Sequence, residues 1–199
     1  MVVSMEKMLK SKFRQVMFSV DAYYKKFFVF DNVGRLIEVD SEFVRGGRKE
    51  RVFYGFYPSG RVKVRKYYVD GVLHREGGPA VVKYYEDGRV KRKEYYTSGK
   101  LHNRVGGPAV IEYYENGNVK CEEYYDDGEL HRADGPAVIK YYEDGKIKEE
   151  SYYFKGKCHR TDGPAIISYN PDGSIEEEIF AENDYIKAED FLKLIRKIK

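Results

Sequence analysis

The sequence predicts an all-β protein: an elongated antiparallel array of β-hairpin repeats with short terminal helices as caps. Three observations predict it. First, the chain repeats itself. The prolines of its GPA tripeptides, Pro79, Pro108, Pro136 and Pro164, are spaced by 29, 28 and 28 residues, and a fixed period of this size is the signature of a repeat architecture. Second, Tyr-Tyr doublets run into Asp-Gly or Asn-Gly, as in Tyr84-Tyr85-Glu86-Asp87-Gly88 and Tyr124-Tyr125-Asp126-Asp127-Gly128. Such pairs between strand-forming runs mark hairpins. Third, 20 tyrosines and no tryptophan among 199 residues, 35% of them charged, suit half-exposed strands, where a ring lies on the pleated surface and its hydroxyl stays wet.

Residues 1–50 read as a helix followed by a degenerate hairpin. Met5, Met8, Leu9, Phe13 and Val16 follow helical spacing. Phe28 to Leu36 reads as a worn hairpin with Asp31 and Gly34 in its turn. The N-terminus is charged at once, without the apolar core of a secretory signal, and no run approaches the roughly 20 apolar residues of a spanning helix. Cys121 and Cys158 fall at different phases of the repeat, which argues against a disulfide framework. The expectation is an intracellular, cytoplasmic, non-secreted protein.

Residues 51–181 read as four 28-residue double-hairpin units, with Phe56-Tyr57-Pro58-Ser59-Gly60 as a degenerate forerunner 28 residues before Tyr84 to Gly88. The framework residues are Tyr84, Tyr85 and Gly88, then Tyr113, Tyr114 and Gly117, then Tyr141, Tyr142 and Gly145. Gly supplies the positive φ of a type I turn with a G1 bulge. The doublet ends one strand, and the apolar residue after Gly starts the next. Adjacent tyrosines then point to opposite faces, so a ladder of rings is expected on each face. The RxDGPA segment reads as a turn, and whether it folds the sheet over itself is open.

Residues 182–199 read as an amphipathic helix. Ala188, Phe191, Leu192, Ile195 and Ile198 share one stripe, and Asp184 suits the N-cap, with acids early and bases late. Two uses are open: a cap on the exposed end of the array or a helix lying on a membrane surface.

The four histidines, His74, His102, His131 and His159, share one phase of the repeat. Two strands per unit at about 4.8 Å put equivalent imidazoles roughly 10 Å apart, a ladder that cannot share one zinc ion. Each ring is expected to hydrogen-bond the nearby RxDGP loop. Arg75, Arg132 and Arg160 are expected to pair with Glu76, Asp134 and Asp162. Cys158 takes the phase of Leu73, Leu101 and Leu130 and reads as a small buried hydrophobe, whereas Cys121 sits at an exposed phase. There is no phosphate loop, GxSxG or CxxC. A residue repeated in every unit speaks for folding, since an active site needs to be built only once. The reading is no enzyme, no metal, no cofactor and no small-molecule substrate.

Charge is segregated. Residues 45–105 hold 16 basic and 6 acidic side chains, and residues 106–182 hold 8 and 18. One strand phase drifts from RVKRKE through NVKCEE and KIKEES to SIEEEI. Arg61, Lys63, Arg65, Arg89, Lys91 and Arg92 form a candidate partner-binding basic patch.

The YY-[ED]-[DN]-G-x-[VIL] hairpins resemble the MORN repeat, in the variant form found in tandem in bacteria and giant viruses. The whole unit, HRxDGPAxIxYYxDG, is most similar to the long tandem repeats of giant amoeba-infecting, marseillevirus-like viruses. The resemblance covers about residues 52–180. It implies a non-catalytic hairpin array used for scaffolding, dimerisation or docking, and a virion component if the viral likeness holds. The small G-x-G signatures of the standard unit are replaced here by LHRxDGPA. The expected function is a structural or interaction protein that docks protein partners or self-associates. The alternative is a nucleic-acid-binding module using residues 45–105, where cations alternate near tyrosines.

Overall fold

The structure is a computed structural model that describes residues 16–20, 24–181 and 186–187, with side chains placed from 24 to 181. A 14-stranded antiparallel sheet carries thirteen strands in simple chain order. Five come first: Val16–Val20, Tyr24–Phe30, Leu36–Arg45, Arg48–Phe56 and Val62–Val69. Four repeated pairs follow: Val81–Tyr84 with Val90–Glu94, Val110–Tyr113 with Val119–Glu123, Val138–Tyr141 with Ile147–Ser151, and Ile166–Tyr169 with Ile175–Ile179. Twelve spacings of about 4.8 Å give the ribbon a contour of roughly 58 Å.

The main turns form as their sequence requires. In Tyr85-Glu86-Asp87-Gly88 the Gly88 N–H donates to the Tyr85 carbonyl at 3.0 Å, and Gly88 sits at φ 96°. The register then shifts between Lys83 and Tyr84. This is a type I turn closed by a G1 bulge, which only glycine adopts cheaply. The same bond recurs at Gly117, Gly145 and Gly173.

The second doublet of each unit builds something different, and the expectation of two equivalent hairpins is corrected. Tyr125 pairs with Leu130 and Asp126 with Glu129, leaving Asp127 and Gly128 alone in the loop at φ 50° and 92°. That is a two-residue type I′ turn, one residue out of step with the main turns although the letters are alike. Ser98 and Lys155 accept positive φ at the same place, a strain that persists only where the surroundings enforce it. The enforcement comes from stacking between units. The Gly99, Gly128 and Gly156 N–H groups donate to the carbonyls of Leu73, Leu101 and Leu130 at 2.9, 3.0 and 2.9 Å.

These minor hairpins therefore form a second row beside the main sheet. The RxDGPA segment does make a corner. It brings the chain back so that the Tyr95, Tyr124 and Tyr152 N–H groups donate to the carbonyls of Ala109, Ala137 and Ala165, each at 2.7 Å. The core lies under this corner. Ala80, Ala109, Ala137 and Ala165 are at most 1% exposed, and Ala165 and Ile166 pack with Cys158 and Tyr153 of the last minor hairpin.

The terminal helices are not seen. Val16, the expected last residue of the first helix, begins a strand, and Ile186–Lys187, inside the expected second helix, is a strand pairing with Lys157–Cys158. An exposed strand edge offers main-chain partners that a short helical stripe does not. Met5, Met8, Leu9, Phe13, Asp184 and the stripe from Ala188 to Ile198 lie outside the described residues.

Ala137→Leu would force three extra heavy atoms under a closed corner. It is expected to lower stability by about 1–3 kcal/mol in urea titration. A neutral result would show that the corner is not packed as described.

Candidate interaction surface

The tyrosines set the lattice on which every other side chain is hung. The second tyrosine of each main doublet reaches forward one unit. The hydroxyls of Tyr57, Tyr85, Tyr114 and Tyr142 donate to the carbonyls of Tyr84, Tyr113, Tyr141 and Tyr169 at 2.8, 2.6, 2.7 and 2.7 Å. A lysine ammonium lies over each of these four rings: Lys63, Lys91, Lys120 and Lys148, at 5.6, 5.3, 5.9 and 5.5 Å from the centroids.

One row across the sheet carries the charge drift. Strand register aligns Arg65, Val82, Lys93, Ile111, Glu122, Ile139, Glu150, Ile167 and Glu178. The cationic members use ring faces: Arg65 lies over Tyr67 and Lys93 over Tyr113, each at 5.3 Å. The anionic members use hydroxyls: Tyr141 donates to Glu122 at 3.0 Å and Tyr169 to Glu150 at 2.8 Å. A phenol has a negative face and a positive O–H end, so one framework serves either sign. Burial, then the hydrogen bond to Glu150, pushes the Tyr169 hydroxyl up to about 12. Burial and Glu122 likewise push Tyr141 upward.

The opposite face, beneath the minor hairpins, holds a charge network. Glu94, 8% exposed, accepts from Lys83 at 2.9 Å and Arg92 at 2.8 Å. Burial alone would raise its carboxyl, but those two hydrogen bonds hold it below the usual range. Arg92 also reaches Glu112 at 3.4 Å.

The six residues of the basic patch are not brought together as one cluster. Arg65 and Arg92 lie on opposite faces, because Arg65 shares a row with Lys93, the neighbour of Arg92. Arg61 donates to the Glu86 carbonyl at 3.1 Å, and Arg89 to Asp87 at 2.7 Å. Lys63 and Lys91 stay exposed above their rings.

The histidine expectation is corrected for two of the four rings. His74 and His131 do not bond their own loops. Their Nδ1 atoms accept from the next unit, from the Ser98 N–H at 3.2 Å and the Lys155 N–H at 3.4 Å. His102 Nδ1 lies 3.3 Å from Asp126 Oδ1, and His159 lines the groove described below. The arginines behave in part as read. Arg132 and Arg160 meet Asp134 and Asp162 at 3.2 and 2.8 Å, but Arg75 bonds the Pro79 carbonyl at 3.4 Å instead of Glu76. All three guanidiniums lie over tyrosine rings, Tyr67, Tyr124 and Tyr152, at 4.1, 4.0 and 4.0 Å from the centroids, a pairing the sequence analysis did not foresee. Their shared phase was the available signal. Between successive RxDGP loops lies an open groove of about 710 Å³ floored by Tyr152 and Phe154.

Among the described residues no group of three His, Cys, Asp or Glu is placed to hold a metal, and no helix is long and apolar enough to cross a membrane. Cys158 is 3% exposed. Cys121, expected at an exposed phase, is half-buried, because the minor hairpins cover its face of the sheet. Burial, then Glu123, pushes its thiol up to about 12.

Two segments, residues 109–127 and 137–155, match the MORN repeat variant. Each begins at the buried alanine of the corner and takes in one main hairpin and the start of the minor one. No curated protein matches the chain. MORN repeats are common in structural and protein-interaction scaffolds and are generally non-enzymatic.

The Cys158 thiol is pushed up to about 11, chiefly by burial. The unfolded chain therefore sheds this proton first as pH rises from about 8.5, the ordinary thiol value. Stability from this group is complete below that value and is lost as pH approaches 11. The melting temperature is expected to fall over that interval, and Cys158→Val to flatten its lower part. A thiol reagent that labels Cys158 in the native protein at pH 8 would contradict the burial.

Proposed function

We propose that the chain is a non-enzymatic interaction scaffold: a stiff hairpin array that docks protein partners, or further copies of itself, through charges carried at fixed lattice positions. The observation that carries this reading is the row that runs from Arg65 and Lys93 through Glu122 and Glu150, each of these four against a tyrosine, to Glu178. What repeats is consumed by folding. What varies is sign, presented along the ribbon, and complementary potentials confer partner choice and register. The MORN variant match supports the same class of role. The likeness of the HRxDGPA unit to giant-virus repeats makes a virion component one setting in which to look for the partner.

A nucleic-acid role for residues 45–105 has less support. Arg61, Arg89 and Arg92 are engaged within the chain and Arg65 is half-buried over Tyr67, which leaves Lys63 and Lys91 as the exposed cations of the patch. Those two, each beside a tyrosine ring, are the feature that favours it.

The test is capture by the immobilised chain from its native source at 50 and 300 mM salt, with Lys63→Glu/Lys91→Glu and a Glu150→Lys variant alongside. A defined protein set is expected to be retained at low salt, with members lost at least tenfold in one variant or the other. Retention indifferent to salt and to both variants would overturn the charge-directed reading. Single-stranded oligonucleotide binding, read by fluorescence anisotropy and abolished by the lysine changes, would favour the nucleic-acid role instead.

A further inference from the structure

We infer that the last strand of the main sheet, Ile175–Ile179, is a docking edge for a cationic extended segment of another protein. The inference rests on the scaffold reading and names one surface and the chemistry of its partner.

On one side this strand is paired, Ile166 with Ile179, Ile167 with Glu178 and Ser168 with Glu177. On the other side it ends the sheet, with no further strand among the described residues. The N–H and C=O groups of that side, unpaired among the described residues, are a template for strand addition. Its three central residues, Glu176, Glu177 and Glu178, are all exposed, and none has a cation within ion-pair distance among the described residues.

The lattice shows what such an edge lacks. One row aligns Val64, Lys83, Arg92, Glu112, Cys121, Lys140, Glu149, Ser168 and Glu177. Its earlier carboxylates are answered by cations: Glu112 by Lys120 at 2.9 Å and Arg92 at 3.4 Å, Glu149 by Lys140 at 2.9 Å. Glu177 has Ser168 on its paired side and, among the described residues, no strand on the other. A strand added there would sit where the units put Lys83, Glu112, Lys140 and Ser168; of these only the lysine type answers a carboxylate, so a lysine or arginine at that place would face Glu177. In the adjacent row, every strand of the corresponding kind presents an aliphatic residue, Val82, Ile111, Ile139 or Ile167. The pattern that fits is aliphatic, aliphatic, cation. Ile175 and Phe180, 55% and 58% exposed, offer apolar contact at the two ends of the strand.

The same end is closed to another array. Asn170 stands where Tyr57, Tyr85, Tyr114 and Tyr142 reach forward, and its amide turns back to Ser174 Oγ at 3.1 Å. Arg61, Asn118 and Lys146 reach the next turn's carbonyl at 3.1, 2.7 and 2.6 Å. Ser174, at the same place, bonds Asp172 at 2.6 Å. The minor row is closed too, since Lys157–Cys158 is already paired by Ile186–Lys187. A following repeat would find neither the turn bonds nor the minor-hairpin bonds that join the others. A lone strand needs neither, and that singles out a short cationic segment over a second copy.

The test uses the full chain and a fluorescein-labelled peptide reproducing residues 135–142 with two lysines appended, read by anisotropy. Saturable binding is expected, weakened at least tenfold by Glu177→Lys/Glu178→Lys and lost when alternate peptide nitrogens are methylated. Equal binding of the methylated peptide would mean charge attraction without strand addition and would overturn the inference. So would self-association of the wild-type chain in sedimentation that the same glutamate changes abolish, since the occupant would then be a second copy. Absence of peptide binding while salt-dependent partner capture persists overturns this edge alone; absence of both removes the scaffold reading as well.

Discussion

The hydroxyl of the tyrosine that opens each main turn donates to a carbonyl one unit further along, and much of the molecule depends on that bond. It ties turn to turn beyond the reach of the strand ladders, which join neighbouring main hairpins through strands of only four or five residues. A sheet of such short strands has little apolar face of its own. Stability has to come from many small interactions between neighbours, as in other quasi-one-dimensional arrays. On the other side of the ribbon the minor hairpins are linked in the opposite sense, each donating back to the unit before it, glycine N–H to leucine carbonyl and backbone N–H to histidine.

This construction separates folding from surface chemistry. The tyrosine rows, the corner alanines and the turn glycines recur and are used up in the framework. The charged row between the tyrosines then changes sign from Arg65 to Glu178 without requiring a new fold, because ring face and hydroxyl accommodate opposite charges. The end of the array departs from the rule in a consistent way. Asn170 and Ser174 bond locally, and the glutamates of the last strand have no ion-pair partner among the described residues.

Much of the fold was legible in the residues. The period was visible in Pro79, Pro108, Pro136 and Pro164, and the hairpins in Tyr85 to Gly88 and its copies, because turn chemistry is local and glycine's positive φ has few substitutes. The interaction surface was legible only in part. Arg89 and Asp87 are near in sequence and meet as near neighbours do. That Arg65 and Arg92 part to opposite faces follows from strand register, and that His74 meets Ser98 follows from stacking between units. Neither is encoded within a short window. The terminal helices failed for the same reason: spacing in Val16 or Ile186 cannot weigh a helical stripe against an available strand edge.

By itself, then, the sequence determined an all-β hairpin array, its period, its main turns and its division into basic and acidic halves. Each of these is set by conformational preference or by composition along the chain. The tertiary structure decided that the second Asp-Gly makes a type I′ turn, that the minor hairpins fold into their own row over Ala109 and Ala137, and that Ile175–Ile179 is the last strand of the main sheet among the described residues. Those outcomes depend on bonds between units 24 to 28 residues apart, and such bonds exist only once the strands have found their register.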